Sequence, residues 1–441
     1  MAKSLGSLLP RLERDLKETP TPIALPLVHP FPAPMSPRVA KTIIELGTAS
    51  DSVVLDPMAG SGMVPLAALA LGRECRALDI DPLALLTIRV QCGSYSLKDL
   101  SRIGLRVQER ATQLAKQPAA LDQRFKRDFD PPTRKFVNRW FPARSRRGLL
   151  SLWMAIAEAR PAHLRDPLKI AFSRVIIAKS AGASRAIDLP HTRPHRLFGK
   201  RVPNPLVMFP RRLKELIERL GKRQPIPNDA KLDLRSGDVR RIPYADGSVD
   251  LVLTSSPYAN AIDYMRAHKF SLVWMGYSVT ELARIRAQMI GVEHGQQKPR
   301  REMAWLESKL PVVRKQWRRR VAIFRRFFYE MESVVQELHR VLRPGGACVL
   351  VLGKSIVSRH VIDTPACIAT IAKRCGFNHV GTLFRDLNPH RRSLPFPRPR
   401  ARGKSLGKRM HQEAIVVLER PKAARAQDSH RNGQAAAVGR P

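Results

Sequence analysis

Between Val53 and Asp79 the chain writes an apolar strand, a turn with two glycines, a helix faced with Ala and Leu, and a second strand. That succession constrains the fold more than any other feature. Val53–Asp56 is the first strand, and the Gly60/Gly62 turn opens a helix through Leu71. Cys75–Asp79 is the next strand and Pro82–Val90 the next helix. Strands alternating with helices predict a parallel, doubly wound α/β sheet. Ahead of it, Ser36-Pro37 supplies an N-cap and a first-turn proline for a helix reaching Leu46. The alternation resumes far downstream, with strands expected at Leu232–Arg235, Val249–Thr254, Ala347–Gly353, Val380–Phe384 and Ala414–Leu418. Residues 93–230 carry helical periodicity only in pieces, such as Leu149–Ala159 and Leu213–Leu220. Asp128–Arg147 and Leu189–Pro210 read as basic or Pro-rich connections between them. The expected organisation is therefore a loosely held arm over 1–28, a core half over 29–92 and a helical insertion over 93–230. A second core half follows over 231–420, and a disordered, Ala/Arg/Gln/Gly-rich tail over 421–441.

The first turn suits a nucleotide-type ligand. Glycines let backbone approach a ligand closely, and the helix behind them presents free N–H groups. Asp56 ends the first strand, where a carboxylate can accept from an ammonium or hydroxyl. Asp79 ends the second, 17 residues past Gly62, near the spacing at which an acid grips ribose hydroxyls. A second signature is Asp250-Leu-Val-Leu-Thr-Ser-Ser-Pro-Tyr258, an apolar strand running into a polar corner. Ser255 and backbone carbonyls can accept from an NH2, and Tyr258 offers a ring for stacking.

Asp56-Pro57-Met-Ala-Gly60-Ser61-Gly62 resembles the first motif of the S-adenosylmethionine-dependent DNA amino-methyltransferases, the N4-cytosine/N6-adenine group. Pro65 stands where a dinucleotide fingerprint would carry its third glycine. Thr254-Ser-Ser-Pro-Tyr258 resembles the fourth motif of the same family, with Ser256 in place of the usual first proline. His29-Pro-Phe31-Pro is similar to the motif preceding the first strand. The resemblance implies a class I methyltransferase, Rossmann-like, mostly parallel seven-stranded sheet with a largely helical insertion. It implies S-adenosylmethionine as cofactor, held by Phe31, Asp56, Pro57, Gly60, Ser61 and Gly62, with Asp79 on the ribose and Asp238 at the adenine amine. It makes Ser255, Ser256, Pro257 and Tyr258 the catalytic corner. An aromatic amine is a poor nucleophile because its lone pair is delocalised into the ring. Hydrogen bonds from its two N–H groups to Ser255 and a neighbouring carbonyl pull it toward tetrahedral geometry, so catalysis rests on positioning. Tyr258 stacks the base once it has left the duplex. Ser256 keeps the carbonyl and lowers the stiffness of the turn. Downstream, Asp263 with Arg266, and Tyr264 with His268, share helix faces that either line the substrate pocket or make surface pairs. His268 shows no partner in the sequence.

Charge points to the partner. Lys and Arg number 78 against 37 Asp and Glu, a net +41, which attracts polyanions such as DNA or RNA. Eleven Lys/Arg fall between Lys298 and Arg326 on a helical pattern of Leu310, Val313, Trp317, Val321, Phe324 and Phe328, which predicts a basic helix over 298–328 with one cationic face. Arg314, Lys315, Arg318 and Arg319 are its candidate phosphate contacts. Arg134, Lys135 and Arg139, interleaved with Phe125, Phe129, Phe136, Trp140 and Phe141, form a second candidate interface. Arg385 to Lys408 is a third basic stretch. Five scattered cysteines without a CxxC pair exclude a zinc or disulfide framework, and no metal is expected. No apolar run is long enough for a bilayer, and the charged first residues lack a signal core, so a cytoplasmic, nucleoid-associated protein is expected.

Taken together, the expectation is a DNA methyltransferase acting on the N4 amine of cytosine, since a serine at the first position of the corner most resembles that branch. Adenine N6 is the nearest alternative. A tRNA amine methyltransferase (guanine-N2 type) and a non-catalytic basic nucleic-acid-binding protein are further readings, the last favoured by Ser256. A nuclease partner is left open.

Overall fold

The computed structural model describes residues 5–17, 26–31, 34–178, 182–187, 189, 194–257, 263–292, 303–310, 318–357, 360–386 and 412–422. Seven strands form one sheet: β1 (Val53–Asp56), β2 (Glu74–Asp79), β3 (Leu232–Ser236), β4 (Val249–Ser255), β5 (Leu342–Gly353), β6 (Asn378–Asp386) and β7 (Gln412–Glu419). Their spatial order is β6-β7-β5-β4-β1-β2-β3. All neighbours are parallel except those of β7, which runs antiparallel to both β6 and β5. This is the class I, Rossmann-like sheet that the sequence implied. Strand order reverses at β1, which lies between β4 and β2, and ligands of such sheets bind beyond the strand ends at that point.

Alternation along each strand splits the core between two faces. Val54, Leu251, Leu253, Val349 and Val351 face α2 (Pro37–Gly47) and α3 (Met63–Ala70). Leu55, Val252, Leu350 and Leu352 face the other way, onto α13 (Arg318–Val341) and α14 (Thr364–Arg374). Near-continuous apolar runs are what a sheet covered on both faces requires. Helix α3 begins at Gly62, whose backbone is left-handed (φ 77°). Pro65 then falls in the first turn, where its missing N–H removes no intrahelical bond. Ser36 stands at the N-cap of α2 and Pro37 at its first position, as expected, although the Ser36 hydroxyl makes no capping bond.

Between β2 and β3 the chain is helical: α4 (Pro82–Cys92), α5 (Leu97–Ala115), α6 (Pro118–Asp128), α7 (Pro131–Trp140), α8 (Ala143–Glu158), α9 (Arg165–Ile176) and α10 (Pro205–Gly221). These helices share a core with α11 (Tyr264–Leu272) and α12 (Val279–Gln288), built on Phe141, Phe172, Phe209, Phe270 and Trp274. Asp128–Arg147, expected as connection, holds α7 and the start of α8, because Pro131 and Pro132 stand in the first turn of α7 and Pro142 at the N-cap of α8, where they open helices rather than break them. Likewise α10 begins at Pro205, inside the segment expected to be irregular, with Asn204 capping it. The N-terminal arm also departs from expectation. Its residues Leu5–Lys17 form α1, which buries Leu12 completely and lays Leu9 against Gly381 of β6. Most of the tail, residues 423–441, lies outside the described residues.

Candidate active site

The C-terminal ends of β1, β2 and β4 converge on one cleft with about 1040 Å³ of open space, mouth included, ample for a nucleotide-sized ligand. Its wall includes Phe31, Asp56, Pro57, Gly60, Ser61 and Asp79 from the cofactor motifs, Gly237 and Asp238 beyond β3, and Ser255 and Pro257 from the corner. Parallel register places these groups. Leu55 is level with Val252, so the β1 and β4 ends stand side by side, and Asp79 is level with Ser236. Two predicted residues stand behind the wall: Ser256 is buried, and Gly62 abuts Ile88, leaving 3.2 Å for a Cβ. Tyr258 lies outside the described residues.

Gly60 takes a left-handed backbone (φ 44°), and a Cβ there would stand 3.0 Å from the Phe31 ring. The turn is therefore a cradle that any side chain would fill. Asp79 accepts from Gly60 N at 2.8 Å and from Asp81 N at 2.9 Å, which locks the cradle to the end of β2. Burial pushes Asp56 up to about 7, against the pull of the Thr254 hydroxyl and Met58 N–H. Burial, then the Asp81 carboxylate, pushes Asp79 up to about 6. Two carboxylates this hard to ionise suit a ligand bearing an ammonium, a sulfonium and sugar hydroxyls, because its positive charge restores their charged form.

Helix α11 supplies the opposite wall. Asp263 caps it and pairs with both Arg266 (2.9 Å) and Arg286. Tyr264 lies in the wall and stacks on Phe31, with ring centroids 5.2 Å apart. His268 does have a partner: its Nδ1 is 2.6 Å from the buried Asp81 carboxylate. No spacing rule could reveal that pair, since 187 residues separate its members.

Sequence reasoning also missed the segment Gln288–Val292, which closes the cleft beside Asp238. The buried Glu330 of α13 accepts from Gly291 N at 3.0 Å and pairs with Arg326 at 2.7 Å. Arg240 donates to the Gln288 carbonyl at 2.7 Å while holding Asp238 at 2.6 Å. Asp238 thus meets the cleft with its carboxylate already held by Arg240, below its ordinary range despite partial burial.

The basic helix differs from expectation in the same way. Arg325 pairs with Glu307 and Arg326 with Glu330, so these cations are consumed internally. Arg318 is exposed, the Arg319 side chain is not among the described atoms, and Arg314 and Lys315 lie outside the described residues. Of the third basic stretch, Arg385 pairs with Glu413; positions 387–408 are outside the described residues. In the insertion, Phe125 and Phe141 are buried, and Phe136 and Trp140 pack on Phe270. They build core rather than a stacking face. Lys135 and Arg139 remain exposed and Arg134 is half-buried, donating to the Lys126 carbonyl. Among the described residues no His/Cys/Asp/Glu group could hold a metal, and no helix is long and apolar enough to cross a membrane.

Residues 8–90 match the family model described as DNA methylase. That stretch of the chain is similar to a DNA methylase domain. Over 148 residues the chain is 26% identical to the type II methyltransferase M.AvaI of Nostoc sp. and to that of Anabaena variabilis, covering 29% of this chain and 31% of each. It thus matches under a third of the length of these curated relatives. Among solved structures, a SAM-dependent methyltransferase from Methanosarcina mazei superposes with a TM-score of 0.32 and 9% identity, over 86% of this chain and 97% of that one. TrmN from Thermus thermophilus gives 0.29 and 12%, over 88% and 49%. The fold assignment rests on strand order instead of these superpositions.

Proposed function

We propose that the protein methylates DNA at the exocyclic N4 amine of cytosine, with S-adenosylmethionine as the methyl donor. One observation carries the reading: the glycine cradle and the Ser255 and Pro257 side chains of the corner line the same cleft, at the ends of adjacent parallel strands. Kinship with the DNA amino-methyltransferases supports the polymer, and Ser255 at the head of the corner supports cytosine over adenine.

When bound, the cofactor supplies an electrophilic sulfonium methyl; everything else falls to the chain. Asp79 holds the ribose hydroxyls and Asp56 the ammonium, both ionised by the ligand's charge. Phe31, braced by Tyr264, covers the cradle. Gly237-Asp238 and the Gln288–Val292 wall bound the adenine end. At the corner, the Ser255 hydroxyl and a neighbouring carbonyl accept the two N–H bonds of the target amine, turning its lone pair toward the methyl. S-adenosylmethionine held there would supply the methyl group, and the proton released by the target amine would leave along the Ser255 contact to water. Tyr258 stacks the base.

Incubation of the full chain with isotope-labelled S-adenosylmethionine and unmodified genomic DNA, followed by nucleoside mass spectrometry, tests this. Labelled N4-methylcytosine is expected. Label in N6-methyladenine would move the assignment to the adenine branch, and label confined to structured RNA would overturn the DNA substrate.

A further inference from the structure

His268 is fully buried on α11 and takes no part in the transfer itself. Its Nδ1 is 2.6 Å from Asp81 Oδ2, and the same carboxylate's Oδ1 accepts from Leu83 N at 2.9 Å, at the N-cap of α4. An ionised carboxylate only accepts, so Nδ1 carries the proton and donates. The other ring nitrogen, Nε2, is buried without a hydrogen-bond partner among the described residues. An unpaired polar atom in the interior costs stability, and a leucine or phenylalanine would fill the same space without that cost. Packing alone therefore does not account for a histidine at this position.

Two lines of contact run from the imidazole to the glycine cradle. Along the first, Asp81 N donates to Asp79 Oδ1 at 2.9 Å, and Gly60 N donates to Asp79 Oδ2 at 2.8 Å. Asp81 is thus held at both carboxylate oxygens, by His268 and by Leu83 N, which fixes the backbone that aims its own N–H at Asp79. Along the second, the imidazole lies against Phe31 with ring centroids 5.5 Å apart, and the Phe31 ring is 3.0 Å from where a Gly60 Cβ would stand. Asp79, Asp81, Gly60 and Phe31 line the cleft, and His268 stands one layer behind them. Ser271, three residues further along α11, gives the contrast. It is equally buried, but its hydroxyl is bonded to Ser173 of α9 at 2.9 Å and not to the cradle.

We propose that His268 is a positioning residue for the methyl donor: by holding Asp81 it sets the direction of the Asp79 carboxylate, and so the grip of the cleft on the ribose hydroxyls. A carboxylate that meets two hydroxyls must be aimed at both, and one locked from behind keeps that aim without further ordering when the ligand binds. The inference rests on the cleft's holding S-adenosylmethionine and is independent of which base is methylated.

Isothermal titration of S-adenosylmethionine into the full chain tests this, with the melting temperature of each variant recorded beside it. H268L fills the space without a donor and should bind about tenfold more weakly, as expected when one charge-assisted hydrogen bond no longer aims the site. H268N restores an N–H near the place of Nδ1 and should recover most of that affinity. H268F offers a ring that cannot donate and should stay as weak as H268L. S271A should bind as the wild type does. Wild-type affinity in H268L, or a fall in binding stoichiometry at an unchanged dissociation constant, would mark a role in folding alone and overturn the proposal. Recovery in H268F, or none in H268N at a preserved melting temperature, would overturn the route through Asp81. A wild type that does not bind S-adenosylmethionine sinks the cofactor site and this inference together. Wild-type binding with indifferent variants leaves the site standing and removes only the part given to His268.

Discussion

At the scale of single residues, the cleft is defined by two carboxylates held uncomfortably. Asp56 titrates near 7 in the fold against an ordinary 3.8, so between those values the folded chain keeps a proton that the unfolded chain has released. Its contribution to stability therefore falls as pH rises through that window, and the full penalty is present above about 7. Asp56→Asn should leave the melting temperature unchanged near pH 4 and raise it at pH 8, by about 1–3 kcal/mol of stability; calorimetric melting at both pH values checks the sign. The same ionisation should make cofactor binding stronger from pH 6 to pH 8. Gly60→Ala would force a left-handed backbone on a residue with a Cβ 3.0 Å from Phe31. It should weaken S-adenosylmethionine at least tenfold in an equilibrium binding assay. The places of Asp56, Gly60, Asp79 and Ser255 in the cleft were legible in the sequence because each lies within a few residues of the strand end that aims it, and that of Phe31 through the motif it shares with His29. Arg240 reaching the Gln288 carbonyl and Asp81 holding His268 were not, because only the fold brings those partners together.

At the scale of elements, periodicity revealed the seven strands of the sheet, and their register does the positioning. What it concealed were helices whose sequence looks like linker. α7 carries two prolines and three cations in ten residues, yet Thr133 and Val137 are buried, with the Thr133 hydroxyl accepting from Val279 N at 2.9 Å. α1 looked like an arm because its charges leave no continuous apolar run, yet Leu12 is fully buried and Leu9 and Leu16 pack beside it. The insertion's aromatics looked like a stacking surface and are core. That difference has a consequence at Phe270, which is fully buried and touches Phe136, Trp140 and Phe141 from α11. Phe270→Ala should lower unfolding stability by about 3–5 kcal/mol. It should also loosen Tyr264 at the far end of the helix, so the cofactor affinity of the folded fraction falls. Urea titration read beside cofactor binding measures both. A loss of stability with unchanged affinity would show that α11 is not the link between the insertion and the cleft.

At the scale of the whole molecule, a net charge of +41 gives the chain a field that attracts polyanions. Composition could say that much and no more, since it does not separate arginines that close ion pairs from those left facing outward. The specific chemistry lies where the sheet order reverses. On the proposed function, one side of the cleft holds the methyl donor and the other aims an amine, and the two halves should be separable. Isothermal titration of S-adenosylmethionine into the wild type, Asp79→Ala and Ser255→Ala tests this most directly. Asp79→Ala should bind at least tenfold more weakly, while Ser255→Ala should bind as the wild type does and fail only in transfer. Wild-type affinity in Asp79→Ala together with lost affinity in Ser255→Ala would contradict the account.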